Sequence, residues 1–134
     1  MPFRHRLRVR YHECDAQGVV FNAHYLTYCD IAITEMWRGL CGSYDKLIER
    51  GVDHVVAEST LRFRAPARFD DEVDIDVAVL RLGTTSMDVG FAIRRDGAVL
   101  TEVRSRYVFV DPQTLQKKPP PDEIRLLLEP LAAS

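Results

Sequence analysis

Near its start the chain alternates strictly. Phe3, His5, Leu7, Val9 and Tyr11 fall on odd positions, and Arg4, Arg6, Arg8 and Arg10 on even ones. A period of two gives one apolar and one charged face, which predicts a half-buried strand. The alternation returns over Val55 to Ala65, where Val55, Ala57, Leu61 and Phe63 share one face and Glu58, Thr60, Arg62 and Arg64 the other. Between Val73 and Val79, the residues Val73, Ile75, Val77 and Val79 oppose Asp74 and Asp76. A fourth run sets Met87, Val89, Phe91 and Ile93 against Ser86, Asp88 and Arg94; a fifth sets Val99, Val103, Tyr107 and Phe109 against Glu102, Arg104 and Arg106. Leu82-Gly83-Thr84 and Arg95-Asp96-Gly97 read as the turns between the last three. Five one-sided strands with short links predict an antiparallel sheet with one wet face.

A different period covers Asn22 to Leu40. Leu26, Cys29, Ile33, Met36, Trp37 and Leu40 recur at helical spacing, Tyr25 and Ala32 extend the stripe, and His24, Thr27, Thr34 and Arg38 lie opposite. Asn22 is expected to cap this helix, and Gly39 or Gly42 to end it. Shorter helices are predicted over Tyr44 to Arg50, stopped by Gly51, and over Asp122 to Glu129, after Pro119-Pro120-Pro121 breaks the chain. No repeat, low-complexity tract or linker divides the 134 residues, so residues 1–134 are expected to form one domain. Strand, long helix, then four strands is an α+β order in which a sheet wraps one helix.

Composition narrows the partners. Eighteen Lys and Arg against 20 Asp and Glu leave a formal charge of -2 and a pI near 6.1, so no global positive field draws nucleic acid or an anionic membrane. No apolar run approaches the roughly 18 residues of a transmembrane helix, and Met1 to Arg6 lack a signal-peptide core; a cytoplasmic location is expected. Cys14, Cys29 and Cys41 are too few and too irregular for a disulfide framework. The Arg4, Arg6, Arg8, Arg10 ladder reads as cross-strand pairing with acids among Glu58, Asp74, Asp76 and Glu102, rather than as a nucleic-acid stripe. His5 and His54 read as structural histidines.

The segment from Tyr11 to Tyr25 joins the first strand to the long helix and is dense in reactive side chains. Gly18 suits a tight turn, and the run ends at a helix N-terminus, where unpaired amides and the positive dipole end favour an oxyanion. Asp15, just before the turn, could then face a carbonyl held on those amides, as nucleophile or as base for water. The same residues also fit a purely structural Asx-turn at Asp15. Cys14 reads as a packed thiol, because extended neighbours point to opposite sides and nothing nearby lowers its pKa. Cys29 falls in the apolar stripe and reads as core; Cys41 reads as incidental. His12, Glu13, Asp15 and His24 are metal-ligand types without a zinc spacing, and no metal is expected. Asp30, at the edge of the apolar stripe, reads as structural or pocket-lining, and Glu35 as solvated.

Asp15, Gly18, Val19, Val20 and Tyr25 follow the order Asp, two variable residues, Gly, two hydrophobics and a helix aromatic. Val55-Val56 leading to Thr60, then Ala65-Pro66-Ala67-Arg68-Phe69-Asp70-Asp71, and finally Lys118-Pro119 add further matches. In these residues the chain resembles the hotdog-fold acyl-CoA thioesterases of the 4-hydroxybenzoyl-CoA thioesterase-like family. The resemblance implies the hotdog fold, an antiparallel five-stranded sheet wrapped around one long central helix. It implies hydrolysis of an acyl-CoA thioester to free acid and coenzyme A, with Asp15 as the catalytic carboxylate. A backbone amide near Asn22 would polarise the thioester carbonyl. Gly18, Val20, Phe21, Tyr25 and Thr60 are expected at the substrate, with Arg62 and Arg68 at the phosphates of coenzyme A. The resemblance further implies no cofactor besides the substrate's own coenzyme A, and a homodimer or homotetramer with sites between subunits. One departure stands out: many relatives carry His where this chain has Asn22. Asn is no base near neutral pH and is left to cap the helix and orient the carbonyl. His24 is rotated from that position by roughly 200° on a helix. A non-catalytic acyl-CoA-binding module and a hotdog hydratase or dehydratase are the alternatives.

Overall fold

Strands β1 (Phe3–Arg8), β2 (Asp53–Phe63), β3 (Glu72–Leu82), β4 (Ser86–Arg95) and β5 (Ala98–Val110) form one antiparallel sheet in the order β1-β3-β4-β5-β2. Helices α1 (His24–Cys41), α2 (Tyr44–Glu49) and α3 (Asp122–Leu128) complete the chain. This computed structural model describes residues 2–133; Met1 and Ser134, which belong to the expected domain, lie outside the described residues. The architecture is the α+β one that the alternation predicts, with the sheet curled round α1.

The buried face of α1 consists of Tyr25, Tyr28, Cys29, Ala32, Ile33, Met36 and Trp37, in steps of three and four. Leu26 was expected on that face and is exposed instead: around the helix it lies within about 20° of the buried Ile33 and Trp37, but it stands in the first turn. Tyr28, absent from the expected stripe, widens the buried face at its other edge and is fully enclosed. Gly42, at φ +97, ends the helix by donating to the Arg38 carbonyl.

Between β1 and β3 the register sets Arg4 opposite Asp76, Arg6 opposite Asp74 and Arg8 opposite Glu72. Arg4 Nε lies 2.6 Å from Asp76 Oδ1 and Arg6 Nε 2.9 Å from Asp74 Oδ1. The arginine ladder is thus neutralised by its neighbour strand. Of the other acids expected to pair with it, Glu102 binds Arg64 on the far side of the sheet, and Glu58 lies on the opposite edge. Tyr11 leaves the strand pattern altogether: β1 stops at Arg8, and Tyr11–Glu13 form a 3-10 turn with Tyr11 exposed.

Strand β2 departs from the alternation in a way that matters for the site. A bulge between Val56 and Glu58 inserts Ala57, so the inward set changes phase. Before the bulge, His54 and Val56 oppose the buried Phe109 and Tyr107; after it, Ser59, Leu61 and Phe63 oppose Ser105, Val103 and Thr101. The expected inward pair Val55 and Ala57 is therefore replaced by His54 and Val56. On the outer face, Asp88 of β4 is almost fully buried beneath Arg106, Arg104 and Arg81, at 2.9, 3.0 and 3.4 Å. Its hydrogen bond from Arg106 leads the effects that hold its carboxyl far below the ordinary range.

His54 locks β2 to α1: the Trp37 Nε1–H donates to His54 Nε2 at 2.8 Å, which requires a neutral imidazole. Burial pushes the His54 pKa down to about 4. The unfolded chain, with His near 6.5, then binds more protons than the folded one between those values. Stability contributed by neutral His54 is full above pH 6.5 and falls as pH drops towards 4, by on the order of 2–3 kcal/mol. Paired carboxylates such as Asp74 and Asp76 lose their share only below their ordinary 3.8, so the two windows separate. Chemical denaturation followed across pH 4–7 should show this slope in the wild type and a flattened one in His54→Gln.

Candidate active site

The loop from Tyr11 to Ala23 is pinned to α1 at both ends by tyrosine hydroxyls. Tyr28 Oη donates to Glu13 Oε1 at 2.8 Å, and the same oxygen accepts the Arg10 amide at 2.7 Å. Tyr25 Oη accepts the Ala67 amide at 3.1 Å, while the Val20 amide donates to the Ala67 carbonyl at 2.9 Å. Between these anchors the chain makes a small hairpin. Asp15 N–H donates to Val19 O, and Gly18 N–H to Asp15 O, both at 2.9 Å. Gly18 has φ +77, a left-handed conformation that side chains disfavour, although a Cβ there would touch nothing within 4 Å.

Asp15 does form the Asx-turn that its sequence context allows: Oδ1 accepts the Gln17 amide at 2.8 Å. Its second oxygen has no partner among the described residues. The turn fixes the carboxylate and leaves one oxygen available. The structural and chemical readings of Asp15 are therefore compatible.

The expected cap at Asn22 is not found. Ala23 is the capping residue, at φ −66 and ψ −24, and no side chain caps the helix. The entry closes by backbone bonds instead, from His24 N–H to Phe21 O at 2.9 Å and Tyr25 N–H to Asn22 O at 3.3 Å. Backbone bonds thus close the turn without a side-chain cap, and among the described residues the amides of Asn22 and Ala23 have no acceptor. They sit at the positive end of an 18-residue helix.

A cavity of about 350 Å³ opens beside this helix start, lined by Val19, Val20, Asn22, Tyr25 and the segment Phe63-Arg64-Ala65-Pro66. Of the residues expected at the substrate, Val20, Asn22 and Tyr25 meet here, with Gly18 and Asp15 in the adjoining turn. Phe21 is exposed against the His24 ring and does not line the cavity. Thr60 and Arg62 occupy a separate hollow on the outer sheet face, with Glu102, Val103 and Arg104. Arg68 bridges to Val19 through its backbone, and its amide donates to Asp71 at 2.8 Å. Phe63 and Arg64 were not singled out from the sequence. Phe63 packs its ring 5.5 Å from that of Tyr25, and Arg64 is held by Glu102 at 2.9 Å. Their only sequence signal is position, at the end of the strand just before Pro66. Cys29 lies in the core, where burial pushes its thiol well above the ordinary range; Cys14 is half-buried. Among the described residues no group of three His, Cys, Asp or Glu is placed to hold a metal, and no helix is long and apolar enough to cross a membrane.

The profile of the thioesterase-like superfamily matches residues 9–128. The chain belongs to this superfamily. Among its relatives, the acyl-CoA thioester hydrolase YbgC of Escherichia coli O6:H1 is 32% identical over 123 residues, covering 91% of this chain and 92% of that protein. A crystallised gentisyl-coenzyme A thioesterase superposes with a TM-score of 0.83 at 25% identity, over 93% of this chain and 98% of that one. A thioesterase-superfamily structure from Jannaschia sp. CCS1 reaches a TM-score of 0.92 at 23% identity, over 99% and 94% of the two chains, and shows the shared hotdog fold. Membership makes thioester hydrolysis the enzyme class of this thioesterase.

The Asp15 hairpin depends on Gly18 for its backbone and on nothing for space. Gly18→Ala should therefore lower the stability of the thioesterase by about 1 kcal/mol, and Gly18→Asn by less, because Asn tolerates the left-handed region. Urea unfolding of the two variants checks the order.

Proposed function

We propose that this thioesterase hydrolyses acyl-coenzyme A thioesters to the free acid and coenzyme A. The observation that carries the reading is the pairing of a fixed carboxylate with a half-free oxygen, at Asp15, with two unpaired amides at the start of α1, beside one cavity. The coenzyme A substrates in the names of YbgC and of the gentisyl-coenzyme A thioesterase support the thiol half.

In this reading the thioester carbonyl oxygen accepts hydrogen bonds from the Asn22 and Ala23 amides. Charge that develops there in the tetrahedral intermediate is stabilised by donors already in place and by the helix dipole. Asp15 then acts by one of two routes. As nucleophile, its free oxygen attacks the carbonyl carbon and expels the coenzyme A thiolate; water cleaves the resulting mixed anhydride, releasing the acid and restoring the carboxylate. As general base, it takes a proton from water, whose oxygen attacks instead. A single turnover in H2-18O with enzyme in excess separates them: attack of water on the Asp15 carbon of the anhydride leaves the label in Asp15 and releases unlabelled acid, whereas the general-base route puts the label in the acid. Asn22 contributes its backbone and a side-chain amide able to orient the carbonyl, with no proton transfer. Arg64 at the cavity, with Arg68 bridged to Val19 on its flank, supplies cations for the phosphates. The catalytic unit is a homodimer formed along the free edge of β2, where Val55, Val56 and Phe63 expose apolar surface.

Thiol release measured over short, long, branched and aromatic acyl-CoAs tests the reading. Asp15→Asn is expected to lower kcat about 10³-fold or more with the fold intact, and Asn22→Ala to lower it tenfold at most. Wild-type turnover in Asp15→Asn would sink the assignment. Tight acyl-CoA binding without thiol release would favour a binding module.

A further inference from the structure

The turn that carries Asp15 belongs to neither the main sheet nor a helix, and a second loop holds it. Cys14 bridges to Val20 and Val19 to Arg68, so the segment at Ala67 and Arg68 acts as a third strand for the Asp15 hairpin. Ala67 has both backbone groups in use. Its carbonyl accepts the Val20 amide at 2.9 Å, and its amide donates to Tyr25 Oη of α1 at 3.1 Å. One buried residue thus sets the spacing between the hairpin and the start of the helix.

The loop that contains Ala67, between β2 and β3, is held at three places. At its start, a bulge in the β4–β5 pairing leaves Leu100 unmatched, and the Leu100 carbonyl accepts the Arg64 and Ala65 amides at 2.8 and 3.1 Å. At its end, the Asp70 amide donates to the Val9 carbonyl, and the Asp71 carbonyl accepts the Val9 amide. Between these the support is a side-chain pair. Arg95, at the end of β4, donates through Nη1 to Asp71 Oδ2 at 2.7 Å and to the Pro66 carbonyl at 3.2 Å. The same Asp71 oxygen accepts the Arg68 amide at 2.8 Å, and the Asp71 amide returns to the Arg68 carbonyl at 3.2 Å. Pro66 and Arg68, on either side of Ala67, are therefore both tied to one ion pair. Asp70, inside the turn, stands at φ +70, a left-handed conformation disfavoured for a residue with a Cβ, so the turn needs this outside support. Both partners of the pair are half-buried, where solvent screens a charge-assisted bond less.

We propose that Arg95 and Asp71 are positioning residues for catalysis: their ion pair places Ala67, and Ala67 places the Asp15 carboxylate against the Asn22 and Ala23 amides. Neither side chain touches the substrate. A reacting group displaced by about 1 Å costs roughly 10²-fold in rate, so the pair acts on kcat rather than on KM. This rests on the reading of Asp15 given above.

Steady-state kinetics with the acyl-CoA that the wild type hydrolyses fastest test it, at a temperature where circular dichroism shows each variant fully folded. Arg95→Met keeps side-chain length and removes the donors; it is expected to lower kcat about 10–100-fold with KM within about twofold of wild type. Arg95→Lys keeps the charge and a donor and should recover kcat to within about fivefold of wild type. The decisive measurement is a double-mutant cycle with Asp15→Asn. A pair that acts through Asp15 has nothing left to position there, so adding Arg95→Met should lower the residual rate of Asp15→Asn by about twofold at most. An equal loss in both backgrounds overturns the proposal, as does a folded Arg95→Met with wild-type kcat and only a lower unfolding temperature. Should Arg95→Met not fold, Asp71→Asn, which keeps an acceptor for the Arg68 amide, completes the same cycle. Wild-type turnover in Asp15→Asn would instead overturn the thioesterase reading of that residue, so the two failures are distinguishable.

Discussion

One helix cannot cover this sheet. Five strands spaced roughly 4.8 Å apart span about 19 Å between their outer axes, whereas a helix with its side chains is about 10–12 Å across. Helix α1 lies over β1 and β3, and the chain beyond α3 reaches β3 at Val79, where Ala132 forms a bridge. The inward face of β2 is covered only in part, by Trp37 on His54 and Tyr25 on Phe63. Val56 and Phe63 therefore stay exposed, although their side chains point to the same side of the sheet as the core. The cavity beside Asn22 and a hollow between Asp30 and His54 lie along this half-covered strip.

The loop that carries Asp15 solves a different problem. The role proposed for Asp15 needs a fixed carboxylate, and a loop has little packing to fix one. Here the positioning comes from two core tyrosines whose hydroxyls reach out of the helix, one to Glu13 and one to Ala67. Each bond satisfies a phenol that burial would otherwise penalise, so the same contacts stabilise the core and orient the site. The Asx-turn at Asp15 works in the same sense, since one oxygen is tied down and the other has no partner among the described residues.

Much of this was legible in the chain. One-sided strands and a helical stripe follow from side-chain periodicity, and the Asp15–Gly18 turn from the need for a left-handed residue at Gly18. What was not legible depended on tertiary detail. The bulge at Ala57 shifts the β2 pattern by one residue without any Gly or Pro to announce it, and so exchanges Val55 for Val56 on the inward face. Asn22 looked like a cap because Asn often is one, but the backbone turn from Phe21 to Tyr25 leaves its side chain nothing to cap. Arg64 and Phe63 became site residues only because the strand ends where the helix begins.

The two edges of the sheet are not equivalent, and the difference bears on how copies of the chain meet. Strand β1 is short, and Arg4, Arg6 and Arg8 line it with charges already satisfied by β3. Strand β2 has 11 residues and exposes the apolar Val55, Val56 and Phe63. Charge and shortness guard an edge; length and apolar surface invite pairing. A β1-to-β2 contact would be head-to-tail and could continue without limit, whereas β2 against β2 closes after two copies. The near-neutral net charge of the chain conceals this asymmetry. In the homodimer proposed above, arginines neutralised at one edge and an apolar, bulged strand at the other favour a closed pair over an open chain of copies.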